Sequence, residues 1–230
     1  MSTDAQADIY RLIAELLLHP DDREEARIAA LSPALGGVAP SVRADIERFL
    51  ADPDSGSSHE YVQTLELSPP CPLYLGVYLF EEPASCRGAA TSGRNGYMIE
   101  LTGLYRHFGF DLTGRELPDY LPVMVDFLGI TLQTESRDGI GLRRRFLEHY
   151  VQPGLGPLGE ALAKYESPYG LLVSALASCV EQDLERMGDA PAWQPPADPS
   201  GRVASLPVLD DAARNPSDGR ALITDMEVRP

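Results

Sequence analysis

Glu116, Asp119, Tyr120 and Asp126, punctuated by Pro118 and Pro122, gather reactive side chains into one stretch, E-L-P-D-Y-L-P-V-M-V-D-F-L-G-I-T-L. Carboxylates at this spacing can exchange protons, hold a metal or recognise a cation. The first two uses need convergent titratable groups, and the four histidines supply no obvious set, none lying three or four residues from another histidine or cysteine. An enzymatic or ligand-binding alternative would draw on Glu116 and Asp119 with His107 or His149, but both histidines fall near helix ends, where an imidazolium suits the partial negative charge. No G-x-x-x-x-G-K-[ST] occurs to cradle phosphates. No catalytic and no metal-binding residue is assigned, and no tightly bound cofactor is expected.

The acids need a rigid mount, and the prolines predict one. With φ fixed and no N–H to donate, Pro118 and Pro122 fit a bent lead-in or first helical turn. Asp119 is then placed to cap that helix. Leu117, Leu121, Met124 or Val125, Leu128 and Leu132 recur at helical spacing, leaving Asp126, Thr131 and Gln133 largely off the apolar face. Similar periodicity predicts helices over 4–18, 21–31, 40–51, 58–67, 96–108, 137–150, 154–165 and 168–187, and no useful strand alternation. Gly109 and Gly188 suit the ends of two helices. The stretch A-S-C-R-G-A-A-T-S-G-R-N-G reads as a loop. Arg143, Arg144 and Arg145 read as a positive strip that touches a partner or pairs with Asp138 and Glu148, with Phe146, Leu147 and Tyr150 facing the core. The fold class is therefore all-α, a single helical bundle over residues 1–188. The proline-rich segment 189–230 is expected to be a largely disordered tail, with Trp193 anchoring its start and a turn over 221–226.

With 43% hydrophobic residues in 230, the chain can fill one core. Its net charge of −16 disfavours nucleic acid and anionic membranes and suits cationic partners. Three cysteines without C-x-x-C spacing argue against a disulfide framework or a zinc ribbon. The N-terminus carries acids where a signal peptide carries bases, and no apolar run approaches membrane-spanning length, so direct membrane insertion is not expected and a cytoplasmic location is.

Five segments in order resemble the NarJ/TorD-type chaperones of molybdenum oxidoreductases, in the nitrate reductase delta-subunit-like branch. These are Y-R-L-I-A-E-L-L-L-H-P from Tyr10, Y-V-Q-T-L-E-L-S from Tyr61, P-L-Y-L-G-V-Y from Pro72, G-Y-M-I-E-L-T-G-L-Y-R-H-F-G from Gly96, and the Glu116 stretch. Together they cover roughly the first three quarters of the chain. Two departures stand out: Tyr120 occupies a position where family members often carry histidine, and the segment 81–94 is longer than usual. The resemblance implies a non-catalytic, client-specific chaperone. Its partner would be the N-terminal segment of an apo molybdenum oxidoreductase catalytic subunit, and the molybdenum cofactor would belong to that client. A structural subunit of a respiratory complex is the other non-catalytic alternative. Tyr61, Tyr74, Tyr78, Tyr105 and Tyr120, with Glu116, Pro118, Asp119 and Asp126, are the residues expected to line a peptide groove. Core packing is the competing role for any single tyrosine, and Tyr74 and Tyr78, four apart, are expected to share a helix face.

Overall fold

The computed structural model describes residues 3–67, 69–80, 93–112, 116–132, 137–194 and 226–228. Helix α1 (Thr3–Leu16) buries Ile9, Leu12, Ile13 and Leu16 on its apolar face. Pro20 stops it, and His19 Nδ1 accepts the Asp21 N–H at 3.2 Å to start a tight turn over Pro20–Asp22. Then come α2 (Glu25–Leu31), a 3-10 turn over Ser32–Gly37 and α3 (Pro40–Ala51), with proline in its first turn. Ser57 caps α4 (Ser58–Tyr61), its Oγ accepting from the Glu60 N–H at 3.2 Å. Beyond Tyr61 the helix widens to a π-turn over Val62–Glu66.

The remaining elements are α5 (Gly76–Leu79), α6 (Gly93–His107), β1 (Phe110–Leu112), α7 (Leu121–Thr131), α8 (Arg137–Arg145), α9 (Gln152–Lys164), α10 (Tyr169–Met187) and β2 (Met226–Val228). A second π-turn, Phe146–Val151, carries α8 into α9 without a break. The architecture is all-α. Among the described residues the strands are a single three-residue antiparallel pair, with Phe110 opposite Val228. Gly109, at φ +82°, and Gly188, at φ +53°, end α6 and α10 in the left-handed region.

Helix α7 is the hub. The sequence predicts an amphipathic helix over 118–133, but the described helix starts at Leu121 and is buried from Leu121 to Gly129 on every side. It starts late because Asp119 and Leu121 give their main-chain groups to the segment 73–75 instead. Helix α1 approaches so closely that a methyl at Gly129 would lie 2.6 Å from Arg11 Cγ and 2.9 Å from the Ala7 carbonyl. Gln133 lies outside the described residues.

Two arginines knit this core. Arg27, from α2, meets Glu15 at 3.3 Å and Asp126 at 3.2 Å, and Glu15 also accepts the Glu24 N–H at 2.5 Å. Asp126 therefore points into the bundle rather than toward solvent. Arg143 corrects the expectation of a surface strip: only 7% exposed, it donates to Asp183, to the Leu128 carbonyl at 2.7 Å and to Thr131 Oγ1 at 3.1 Å. The Tyr10 hydroxyl joins the same Asp183 carboxylate at 3.1 Å. Its neighbours do pair outside, Arg144 with Glu148 and Arg145 with Glu100, each at 2.7 Å. Phe146, Leu147 and Tyr150 face the core as predicted.

Two further readings are corrected or fall outside. Helix α6 begins at Gly93, inside the stretch read as a loop; residues 84–92 of that stretch lie outside the described residues, as does the side chain of Asp138. Of the proposed tail, residues 195–225 also lie outside them, including most of the turn read over 221–226. At its start the Trp193 N–H donates to the Gly141 carbonyl at 2.9 Å, and the indole packs against the core.

Candidate functional site

The Glu116 stretch meets the Pro72 stretch through main-chain hydrogen bonds. The Leu75 N–H donates to the Asp119 carbonyl at 3.0 Å, and the Leu121 N–H to the Leu73 carbonyl at 2.8 Å. This antiparallel bridge sets Tyr74 opposite Tyr120, with ring centroids 5.2 Å apart and planes tilted by 36°. Both rings are half-buried. The Tyr74 hydroxyl donates to Glu116 Oε2 at 2.5 Å. Tyr78 does not share a helix face with Tyr74, because α5 begins only at Gly76; its hydroxyl turns back to the Pro72 carbonyl at 3.1 Å.

Beneath this rim sits a buried frame. Asp119 is fully buried and does not cap its own helix. Its Oδ2 accepts the Gly76 N–H at 3.0 Å, so it caps α5 from a distant part of the chain, and Arg94 pairs with it at 3.6 Å. Tyr105, also fully buried, donates to the Pro118 carbonyl at 2.8 Å and stands edge-on to Phe127. Tyr61 donates to the Leu17 carbonyl at 3.1 Å, while its hydroxyl lies 3.3 Å from that of Tyr120. The structure thus divides the nine expected residues. Tyr74, Tyr78, Glu116, Pro118 and Tyr120 reach the surface, whereas Tyr61, Tyr105, Asp119 and Asp126 are enclosed and have no face to offer a ligand.

On the segments that form the rim Leu117 is 47% and Val77 40% exposed, and Leu67, next to the Glu66 that lies within electrostatic reach of Tyr120, is 73% exposed. Sequence reasoning did not single out these three as site residues, nor Gly76 and Arg94. A glycine inside the apolar run P-L-Y-L-G-V-Y was the available sign of a close approach. Arg94 carried no comparable signal, standing in a stretch that reads as loop.

The electrostatics follow from burial. Loss of water raises the Asp119 carboxyl above its ordinary value of 3.8, with Arg94 and the Gly76 N–H pulling partly back. Glu15 is likewise raised from 4.5 by burial, against its bond to the Glu24 N–H and the charge of Arg27. An acid raised in the folded state stabilises fully below its unfolded value and loses that contribution as pH climbs through the folded value. Urea midpoints measured from roughly pH 4 to 7 should therefore fall with pH less steeply in Asp119→Asn than in the native protein. Identical slopes would show that Asp119 is not held above its usual range.

The enzymatic alternative finds little geometry. His149 is exposed, while His107 is buried edge-on to Phe108 at 5.3 Å. Among the described residues no group of three or more His, Cys, Asp or Glu could hold a metal ion, and no described helix is long and apolar enough to cross a membrane.

The fold is thus a helical bundle with an aromatic and acidic surface rim mounted on buried charges. The chain belongs to the nitrate reductase delta subunit family, whose model matches residues 28–158, more than half of its 230 residues. Two curated relatives come from Escherichia coli K12. The probable nitrate reductase molybdenum cofactor assembly chaperone NarW is 32% identical over 96 residues, covering 42% of this chain and 38% of that protein. The nitrate reductase molybdenum cofactor assembly chaperone NarJ is 32% identical over 79 residues, covering 34% and 30%. The chain thus spans less than two fifths of the length of these relatives.

Proposed function

We propose that this protein is a non-catalytic, cytoplasmic assembly chaperone that binds the N-terminal segment of an apo molybdenum oxidoreductase catalytic subunit and supports insertion of the molybdenum cofactor. The observation that carries this reading is the surface rim: half-buried Tyr74 and Tyr120, their rings tilted against each other beside Glu116, with exposed Leu117 and Val77 on the two segments that bear them. Apolar side chains and aromatic faces take up the apolar side of a helical or extended segment, and carboxylates attract its basic residues. Tyr78 and Pro118 extend the rim; Tyr61, Tyr105 and Asp119 hold it in place without touching the client, and Asp126 is paired with Arg27 inside the bundle. The protein itself holds no cofactor tightly, because the cofactor is the client's. A leader segment that orders only on binding forfeits about 2 to 5 kcal/mol of its interaction energy, which keeps capture reversible. Reversibility suits a factor that must leave the finished enzyme.

Deleting the gene tests this directly. The client polypeptide should still be made but be poor in molybdenum cofactor, and adding the protein back should restore activity without its remaining in the product. Full cofactor content in the deletion strain, or turnover of a substrate by the purified protein alone, would overturn the reading.

A further inference from the structure

The oxygens of the rim are rich in lone pairs. Tyr61 donates to the Leu17 carbonyl 3.1 Å away, and its hydroxyl lies 3.3 Å from that of Tyr120, a contact in which either oxygen can be the donor. Tyr74 commits its hydrogen to Glu116. Each hydroxyl oxygen keeps lone pairs with which to accept. Glu116 adds carboxylate lone pairs, and the exposed carboxylates of Glu66 and Asp22 stand within electrostatic reach of Tyr120. The phenol of Tyr120 is accordingly pushed up to about 12, by burial first and then by these negative neighbours, although its bond with Tyr61 pulls the other way.

A surface of phenol and carboxylate oxygens with acidic neighbours disfavours carboxylates and phosphates. It matches a group that only donates and carries positive charge. Of the two such side chains, guanidinium fits better: its planar fork meets a carboxylate in two parallel hydrogen bonds, and its flat face lies on an aromatic ring. A lysine ammonium supplies charge without the plane.

We propose that Tyr74, Tyr120 and Glu116 form a seat for one arginine side chain of the docked segment. The proposal rests on the reading of this rim as a peptide-binding surface and names the group that it selects.

The test uses the full-length protein and synthetic peptides of roughly 20 residues taken from the N-terminus of a nitrate reductase catalytic subunit, long enough to lay a helical face on the rim. Each arginine is replaced in turn by citrulline, which keeps the shape and loses the charge, and by lysine. Titration calorimetry should find one position at which citrulline weakens binding by about tenfold or more and lysine weakens it less. Tyr120→Phe and Glu116→Gln should each bring the native peptide down toward the citrulline value while leaving the citrulline peptide nearly unaffected. Because the decisive change is in the ligand, a variant that folds poorly cannot produce the result. Native and citrulline peptides binding equally at every position would overturn the arginine seat alone. Failure of every peptide to bind the native protein would overturn the peptide-binding reading, and the seat with it.

Discussion

Asp183→Ala is expected to destabilise the protein by about 3 to 5 kcal/mol, read as a drop in the urea midpoint, because it strands a buried charge. Arg143 would keep its bonds to the Leu128 carbonyl and Thr131 but lose its counter-charge in a place that water does not reach. The Tyr10 hydroxyl would lose its acceptor as well. Replacing both charged partners, Arg143→Met with Asp183→Leu, should recover much of the loss, since removing a buried pair together relieves the desolvation that removing one exposes. A single-variant loss below about 1 kcal/mol would mean that water enters the clasp and solvates Arg143.

Gly76→Ala is expected to damage the candidate site more than the fold. A methyl there would lie 2.5 Å from Asp119 Oδ2 and 3.3 Å from Arg94 Nε, so the carboxylate must swing away from the Gly76 N–H that it caps. Overpacking of this kind costs about 1 to 3 kcal/mol, and the lost cap adds about 0.5 to 2 kcal/mol. Because Asp119 sits between Pro118 and Tyr120, its displacement should also move the tyrosine pair and weaken peptide binding while helicity is kept. Gly156→Ala, with nothing within 4 Å of the added methyl, supplies the control within a helix and should be neutral or slightly stabilising. Equal behaviour of the two variants in calorimetry and in unfolding would show that the Asp119 cap does not position the rim.

Helical periodicity made the bundle legible because α3 and α10 each bury one stripe, and proline and glycine mark helix ends. The same signal misread α7, whose neighbours cover it all round; an isolated polar residue such as Asp126 then looks solvent-facing when it is in fact paired with Arg27. The acids and tyrosines of the site were legible as residue types, from the prolines around them and from the family resemblance. What could not be read was which of them are enclosed. That depends on partners far away in sequence: Gly76 for Asp119, Leu17 for Tyr61, Arg27 for Asp126. Local spacing cannot distinguish an aspartate that caps its own helix from one that caps another.

The bridge between Leu73–Leu75 and Asp119–Leu121 is made by peptide groups alone. Its two hydrogen bonds are indifferent to which side chains stand at 74 and 120, so either position can mutate without the two halves of the socket drifting apart. Side chains at the rim can therefore be exchanged by single substitutions while the mount stays unchanged. Tyr120 stands at such a position, with its backbone fixed by the bridge and its side chain left to vary.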